Sequence, residues 1–288
     1  MKFLLVIIIF IIICYCIWQK LELGKFEVNT YDIKTKKVSK SKKIALIADL
    51  HSHVYGKNND ILIEKLKEMN PDLILIPGDL IVSKKVEKYA VAYELISEIS
   101  KIAPIYFSNG NHESRLKKKD HPCKKEYLKF EESLFQLGVH ILNNESLEQI
   151  WDKDEFCIHG LDLDLDYYAK GKTKEMKALD MEGFLGKLEK ENQYHILLAH
   201  NPAYCKQYAM WGADLTVCGH NHGGLIRLPN GRSFISPQFK LFPKYDAGHF
   251  IFENNKNVVI SRGLGTHTFH IRIFNRAELV QINIISDL

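Results

Sequence analysis

From Lys43 onward the chain alternates short apolar runs with amphipathic stretches. Ile44-Ala45-Leu46-Ile47-Ala48 predicts a buried strand, because the run leaves no polar face for solvent. Asn58 to Asn70 (NNDILIEKLKEMN) spaces its apolar residues as a helix does and stops at Pro71. Leu73-Ile74-Leu75-Ile76 predicts a second strand, Ser83 to Lys101 a helix, and Ile105-Tyr106-Phe107 a third strand. A helix is predicted near Lys124 to Leu137 and a short strand at Val139 to Leu142. Further strands are expected at Phe156-Cys157-Ile158, His195 to Ala199 and Leu215 to Cys218, and Gly224 to Ile285 reads mostly as β. This order predicts an α/β fold class, a layered domain built around a central sheet.

Ahead of that domain, Phe3 to Trp18 (FLLVIIIFIIICYCIW) carries no charge. As a helix it spans about 24 Å, and Trp18 and Lys20 can complete the crossing of a ~30 Å hydrocarbon layer. A cleaved secretory signal is the alternative, but no small-x-small cleavage site follows. Residues 1–20 are therefore expected to form a single-pass membrane anchor. Residues 21–42, rich in lysine, are expected to form a basic stalk or linker. Two positive groups at the N-terminal side place that end in the cytoplasm and the domain outside it, while the lysines further downstream argue the opposite.

Composition changes this picture by exclusion. With 288 residues, 46% of them apolar and 26% charged, the chain is neither disordered nor fibrous. Cys14 and Cys16 lie in the apolar tract, and Cys123, Cys157, Cys205 and Cys218 contain no C-x-x-C, so a disulfide scaffold is excluded. The net charge of +4 is unevenly spread. Residues 1–43 hold nine lysines against three acidic residues, and the remainder is near neutral and holds all 13 histidines. A near-neutral domain without a basic stripe is a poor nucleic-acid partner.

The chemistry lies directly after the predicted strands. Asp49-Leu50-His51 follows the first, Gly78-Asp79 the second, and Asn109-Gly110-Asn111-His112-Glu113 the third. His200-Asn201-Pro202 and Gly219-His220-Asn221-His222-Gly223-Gly224 follow two later ones. Ligand sites in α/β sheets gather at the carboxyl ends of strands. Asp49, His51, Asp79, Asn111, His200, His220 and His222 are therefore expected on one rim. Burying so many polar groups together without a cation would cost several kcal/mol. Carboxylate, amide and imidazole donors without thiolate suit Mn²⁺, Fe or Zn²⁺, and seven donors suit two divalent ions with one carboxylate shared.

These motifs resemble those of the calcineurin-like metallophosphoesterases: D-x-H at 49–51, G-D at 78–79, G-N-H-E at 110–113, a lone His200 and G-H-x-H at 219–222. Gly223 to Pro229, Ser261 to Thr266 and Ile271-Arg272-Ile273 are similar to the bacterial membrane-associated subgroup of YkuE- and YaeI-like phosphodiesterases. Ala277 departs from that pattern, where Pro is expected, and touches no expected ligand. The resemblance implies a β-sandwich flanked by helices over residues 43–288. It implies Asp49, His51 and His222 on one metal, Asn111, His200 and His220 on the other, and Asp79 between them. Phosphate-ester hydrolysis by a water activated between the ions would follow, with His112 as the catalytic residue that protonates the leaving oxygen or stabilises transition-state charge.

Several other groups invite a function. Arg115, Lys117, Lys118, Lys119, Lys124 and Lys125 form a basic run that reads as an anion-attracting surface or a solvated face. His53 is expected at the rim. Asp162, Asp164 and Asp166 read as a loop or strand edge. Gly171-Lys172-Thr173 lacks the earlier glycine of a phosphate loop, and His267 is a candidate for the cleft wall. The expected activity is hydrolysis of a phosphodiester or phosphomonoester, membrane-proximal or lipid-linked. A non-catalytic metal-binding scaffold and a nuclease are the alternatives, and no protein partner is inferable from the sequence.

Overall fold

The computed structural model describes residues 2–84, 86–169, 174–236, 241–266 and 270–287, and these build two six-stranded sheets. Helix α1 (Lys2–Leu23) leads into β1 (Phe26–Thr35) and β2 (Lys42–Leu46). Then come α2 (Asp60–Met69), β3 (Leu73–Ile76), α3 (Tyr89–Ile99), β4 (Ile105–Phe107), α4 (Asn111–Leu116), α5 (Lys124–Gln136) and β5 (His140–Ile141). The second half runs β6 (Glu145–Trp151), β7 (Asp154–Leu161), α6 (Ala178–Leu185), β8 (Tyr194–Ala199), α7 (Cys205–Trp211) and β9 (Leu215–Cys218). The hairpin β10 (Ile226–Arg227) and β11 (Ser233–Ile235), then β12 (Gly248–Phe252), β13 (Lys256–Ile260) and β14 (Ala277–Ser286), complete it.

One sheet has the order β1-β14-β2-β3-β4-β5 and the other β12-β13-β9-β8-β7-β6. Their inner faces bury one shared core, with Ile44, Leu46, Leu75 and Ile282 meeting Ile158, Ile196, Leu198 and Val217. Outside the first sheet, α2, α3 and α5 cover Ile74, Ile76, Ile105 and Phe107. Outside the second, α7 and the segment around α6 cover Leu161, Leu197, Ala199 and Ile260. The fold is thus a β-sandwich flanked by helices, with both faces of the central strands buried. That explains why those strands read as unbroken apolar runs.

The expected stalk over residues 21–42 is corrected by the structure. Residues 26–35 are a ten-residue strand, β1, in parallel register with β14 from Phe26 opposite Ala277 to Thr35 opposite Ser286. The separation between α1 and β1 shrinks to Gly24 and Lys25. The strand is polar because it lies at the sheet edge, where one side of the ladder and much of one face meet water. Only Ile33 is buried along it. A lysine at a sheet edge discourages pairing with a second chain, and the exposed Lys34 of β1 is placed to do so.

Helix α1 contains 21 residues, Phe3–Leu23, long and apolar enough to cross a membrane. Its last turn is docked. The Gln19 side chain exchanges two hydrogen bonds of 3.0 Å with the backbone of Arg272, and Glu22 pairs with Arg276 at 2.7 Å. Removing residues 1–23 should leave a soluble chain with a cooperative thermal transition. Removing residues 1–42 should expose the β14 edge and precipitate the protein. In the full-length chain Ile33→Ala should cost about 2–5 kcal/mol in denaturant unfolding, as for other buried Ile truncations. Equal solubility of the two truncations would contradict a structural role for β1.

Candidate metal centre

The carboxyl ends of five parallel strands meet at one edge of the sandwich. Asp49 and His51 follow β2, Asp79 follows β3, and Asn111 and His112 open α4 after β4. His200 follows β8 directly, and His220 and His222 follow β9. All eight residues named from the sequence therefore reach one place. His220 is half-buried and the other seven are buried.

Their atoms are close. Asp79 Oδ2 lies 3.2 Å from His200 Nε2 and 3.8 Å from His51 Nε2. Asp49 Oδ1 lies 3.8 Å from both His200 Nε2 and His222 Nε2. His51 Nε2 and His222 Nε2 face each other at 3.2 Å. Two donor groups emerge, Asp49–His51–His222 and Asp79–His200–His220, and Asp79 also lies against His51 and His112. Two of these rings have their outward nitrogen held by the backbone. His200 Nδ1 donates to Pro77 O at 2.9 Å and His222 Nδ1 to Gly265 O at 3.1 Å, so the Nε2 atoms point inward.

Close approach of strands demands glycine at two points. A Cβ on Gly110 would sit 2.3 Å from Asp79 Oδ1, and one on Gly219 2.5 Å from Asp49 Oδ2. The backbone is also strained. Asp49, His51, Asp79, His220 and His222 all have positive φ, between 48° and 70°, a region costing about 1–3 kcal/mol per non-glycine residue. Such strain persists only where surrounding bonds over-determine it. Here Glu113 does much of this: its carboxylate accepts from the N–H of Asp79 and Gly110 at 2.9 Å and of Ile81 at 3.2 Å. Asp79 Oδ1 in turn accepts from His112 N at 2.9 Å, and Asp49 accepts from His220 N.

The electrostatics are those of a cation seat. Burial pushes Asp49 up to about 7, opposed by His200. Burial would raise Asp79 too, but His200, by its charge and its hydrogen bond, holds it well below the usual carboxylate range. Burial disfavours charge on His200, yet Asp79 and Asp49 hold it up to about 9. A protonated imidazole thus substitutes for positive charge the pocket otherwise lacks. Asn111 Oδ1 is buried and accepts no hydrogen bond among the described residues, an acceptor left for an ion. Hard oxygen and imidazole donors without thiolate fit a divalent ion of the Mn, Fe or Zn type.

Sequence reasoning missed several supports. Glu113 sits at the end of a motif whose other members draw attention. Tyr168 lies 5.1 Å from the His220 ring and 5.9 Å from that of His200. Asn275 donates to the carbonyls of His222 and Gly224. Asp162 is a brace in a loop, accepting from Asn109 Nδ2 at 2.7 Å and from Ser114. His53 turns away from the centre and meets Leu23 O at 2.9 Å. Gly171-Lys172-Thr173 and His267 lie outside the described residues. A cavity of about 290 Å³ opens beside His220, walled by Tyr168, Asn201, Asn221, Lys244 and Tyr245. A larger one, about 560 Å³, lies between Arg227, Arg262 and Tyr31 and includes none of the eight residues.

Comparison with known proteins agrees with this geometry. The family model for calcineurin-like phosphoesterases matches residues 42–224. Phosphodiesterase YaeI of Escherichia coli is 27% identical over 248 residues, covering 84% of this chain and 82% of that one. YpbG of Bacillus subtilis is 28% identical over 255 residues, 85% of this chain and 82% of its own. A transmembrane protein with a metallophosphoesterase domain from Danio rerio is 25% identical over 252 residues, 83% of this chain but 52% of that protein.

Because His200 and Asp49 must lose protons before they can ligate, ion binding should release protons and tighten as pH rises from about 6 to 9. Calorimetric Mn²⁺ titrations in two buffers of different ionisation enthalpy measure this. Proton-neutral binding across that range would contradict the seat described.

Proposed function

Since the chain belongs to the calcineurin-like phosphoesterase family and is a metal-dependent phosphoester hydrolase, we propose that it is a membrane-anchored, two-metal phosphodiesterase. The observation that carries this is the pair of buried donor groups meeting at Asp79. In this reading Asp49, His51 and His222 hold one divalent ion, and Asn111, His200 and His220 hold the other. Asp79 serves both. Mn²⁺, Fe or Zn²⁺ suits the donors. When bound, two such ions supply positive charge to the phosphoryl oxygens and acidify water at neutral pH.

The protein's own groups do the rest. His112 Nδ1 accepts from Ser83 N–H at 3.0 Å, so the neutral ring carries its proton on Nε2. Its ring meets that of His51 edge-on, with centroids 4.9 Å apart. His112 therefore acts as a fixed hydrogen-bond donor to negative charge growing on the phosphoryl or leaving oxygen. Full transfer of that proton would leave an imidazolate unless the ring first takes a second proton, which would break the Ser83 bond. Donation without transfer is the better role. Tyr168 and the cavity beside His220 give the alcohol portion of an ester an aromatic wall, and Lys244 adds a cation there.

Preference for a diester follows the name of the Escherichia coli relative. The membrane reading rests on α1, and His53, two residues from His51, touches the last carbonyl of that helix. A substrate held at the bilayer, such as a lipid-linked phosphate, suits a centre tied this closely to the anchor.

Mn²⁺-dependent hydrolysis of bis-p-nitrophenyl phosphate should exceed that of the monoester. His112→Ala should keep metal content while kcat falls about 10²–10⁴-fold, whereas Asp79→Ala should lose metal and activity together. Metal analysis by mass spectrometry alongside kcat separates the two. Full turnover by His112→Ala would remove its role, and bound metal without turnover of either ester would favour a scaffold.

A further inference from the structure

A second cluster of metal-type donors lies at the opposite end of β8. Cys157 and His159 stand two residues apart on β7 and so share a face, and Cys157 is opposite His195 on β8. All three are buried, and one donor atom from each lies within 4.8 Å of the others. His195 is five residues before His200, which separates this cluster from the candidate centre by roughly 17 Å along the strand.

The nitrogens are arranged as metal ligands are. His159 Nε2 and His195 Nδ1 face each other at 3.1 Å. Two nitrogens on one tetrahedral ion at 2.0–2.1 Å are ~3.3 Å apart. The other nitrogen of each ring meets oxygen: His195 Nε2 reaches Lys190 O at 2.9 Å, and His159 Nδ1 reaches Ser146 Oγ at 2.6 Å. Outer-shell bonds of this kind fix the ring and aim its free nitrogen. Cys157 Sγ lies 3.9 Å from His159 Nδ1, and Trp211 covers that ring edge-on at 4.9 Å.

Without an ion these groups form a relay. Ser146 O–H donates to His159, His159 Nε2–H to His195, and His195 Nε2–H to Lys190 O. One proton then occupies the place between the rings. The relay engages the two histidines and the serine, and it reaches the thiol only through a long 3.9 Å contact at His159 Nδ1, which Ser146 already occupies at 2.6 Å. Burial pushes the Cys157 thiol up to about 11 and His159 down to about 3, and it lowers His195 as well, so the ion-free pocket disfavours charge on each.

We propose that Cys157, His159 and His195 form a zinc site, separate from the phosphoesterase centre, that pins β6, β7, β8 and the Lys190 loop together. A thiolate with two imidazoles and one further position suits a borderline-soft tetrahedral ion. Binding displaces the thiol proton and the proton between the rings, and both pass to solvent. No thiolate belongs to the phosphoesterase centre, so sulfur reports on this site alone.

The test uses the full-length protein in detergent, stripped of metal and titrated with Co²⁺. The expected result is a thiolate-to-cobalt charge-transfer band that Zn²⁺ erases. Cys157→Ser should lack the band yet keep Mn²⁺-dependent ester hydrolysis, which shows that it folds. His159→Gln and His195→Gln should each weaken Co²⁺ binding at the band at least tenfold, and they carry the test if the cysteine variant does not fold. Absence of the band in the wild-type protein, or its persistence in all three variants, would overturn the proposal.

Discussion

Two carboxylates, Asp49 and Asp79, are taken fully out of water within reach of the same His200 imidazole. Removing charge from solvent at this density is unfavourable unless positive charge replaces the water. Most of the architecture around the centre follows from that requirement. Strands β2, β3, β4, β8 and β9 end at the same edge, so that short loops deliver every donor at once. The left-handed turns at Asp49, His51, Asp79, His220 and His222 re-aim those donors inward. Glu113, itself pushed up to about 8 by burial and by Asp79, spends its carboxylate on three backbone amides to hold two of the loops. Charge is placed first, and strain and bracing follow from it.

Much of this was legible in the sequence for a simple reason. A strand buried on both faces shows as an apolar run, and the residue after it is at the sheet edge whatever the rest of the fold does. Asp49, Asp79, His200 and His220 could therefore be assigned to one rim before any topology was known. What escaped depends on partners distant in sequence. β1 carries Asn29, Thr30, Asp32 and Lys34, and its ladder is made with β14, some 250 positions later. No local pattern announces such a pairing, and a lysine-rich stretch after an apolar helix looks like a tether. β6 was missed similarly, since it mixes exposed Glu145, Ser146 and Glu148 with an exposed Ile150, and only its pairing with β7 makes it a strand. Glu113 and Asp162 look like ordinary acidic residues because their work is to accept hydrogen bonds from groups outside their own segment.

The position of β1 alters what the N-terminal helix can do. A flexible stalk over residues 21–42 would let the centre sweep a wide volume above a membrane. Two residues between α1 and a ten-residue ladder allow no such range, and the end of α1 is fastened at three further points: Gln19 to Arg272, Glu22 to Arg276, and Leu23 O to His53. Arg272 is the pivotal one. Its guanidinium is buried and donates to the carbonyls of Arg262, Gly263 and Gly265, each at 2.9 Å. Gly265 N donates to Asp49 O at 2.7 Å, while its carbonyl accepts from His222. One hydrogen-bonded frame thus runs from the last turn of the apolar helix to two donors of the centre. In the membrane-anchored reading proposed above, this frame would set the height and tilt of the centre over the bilayer, and an ester presenting its phosphate at that height is the substrate that reading expects.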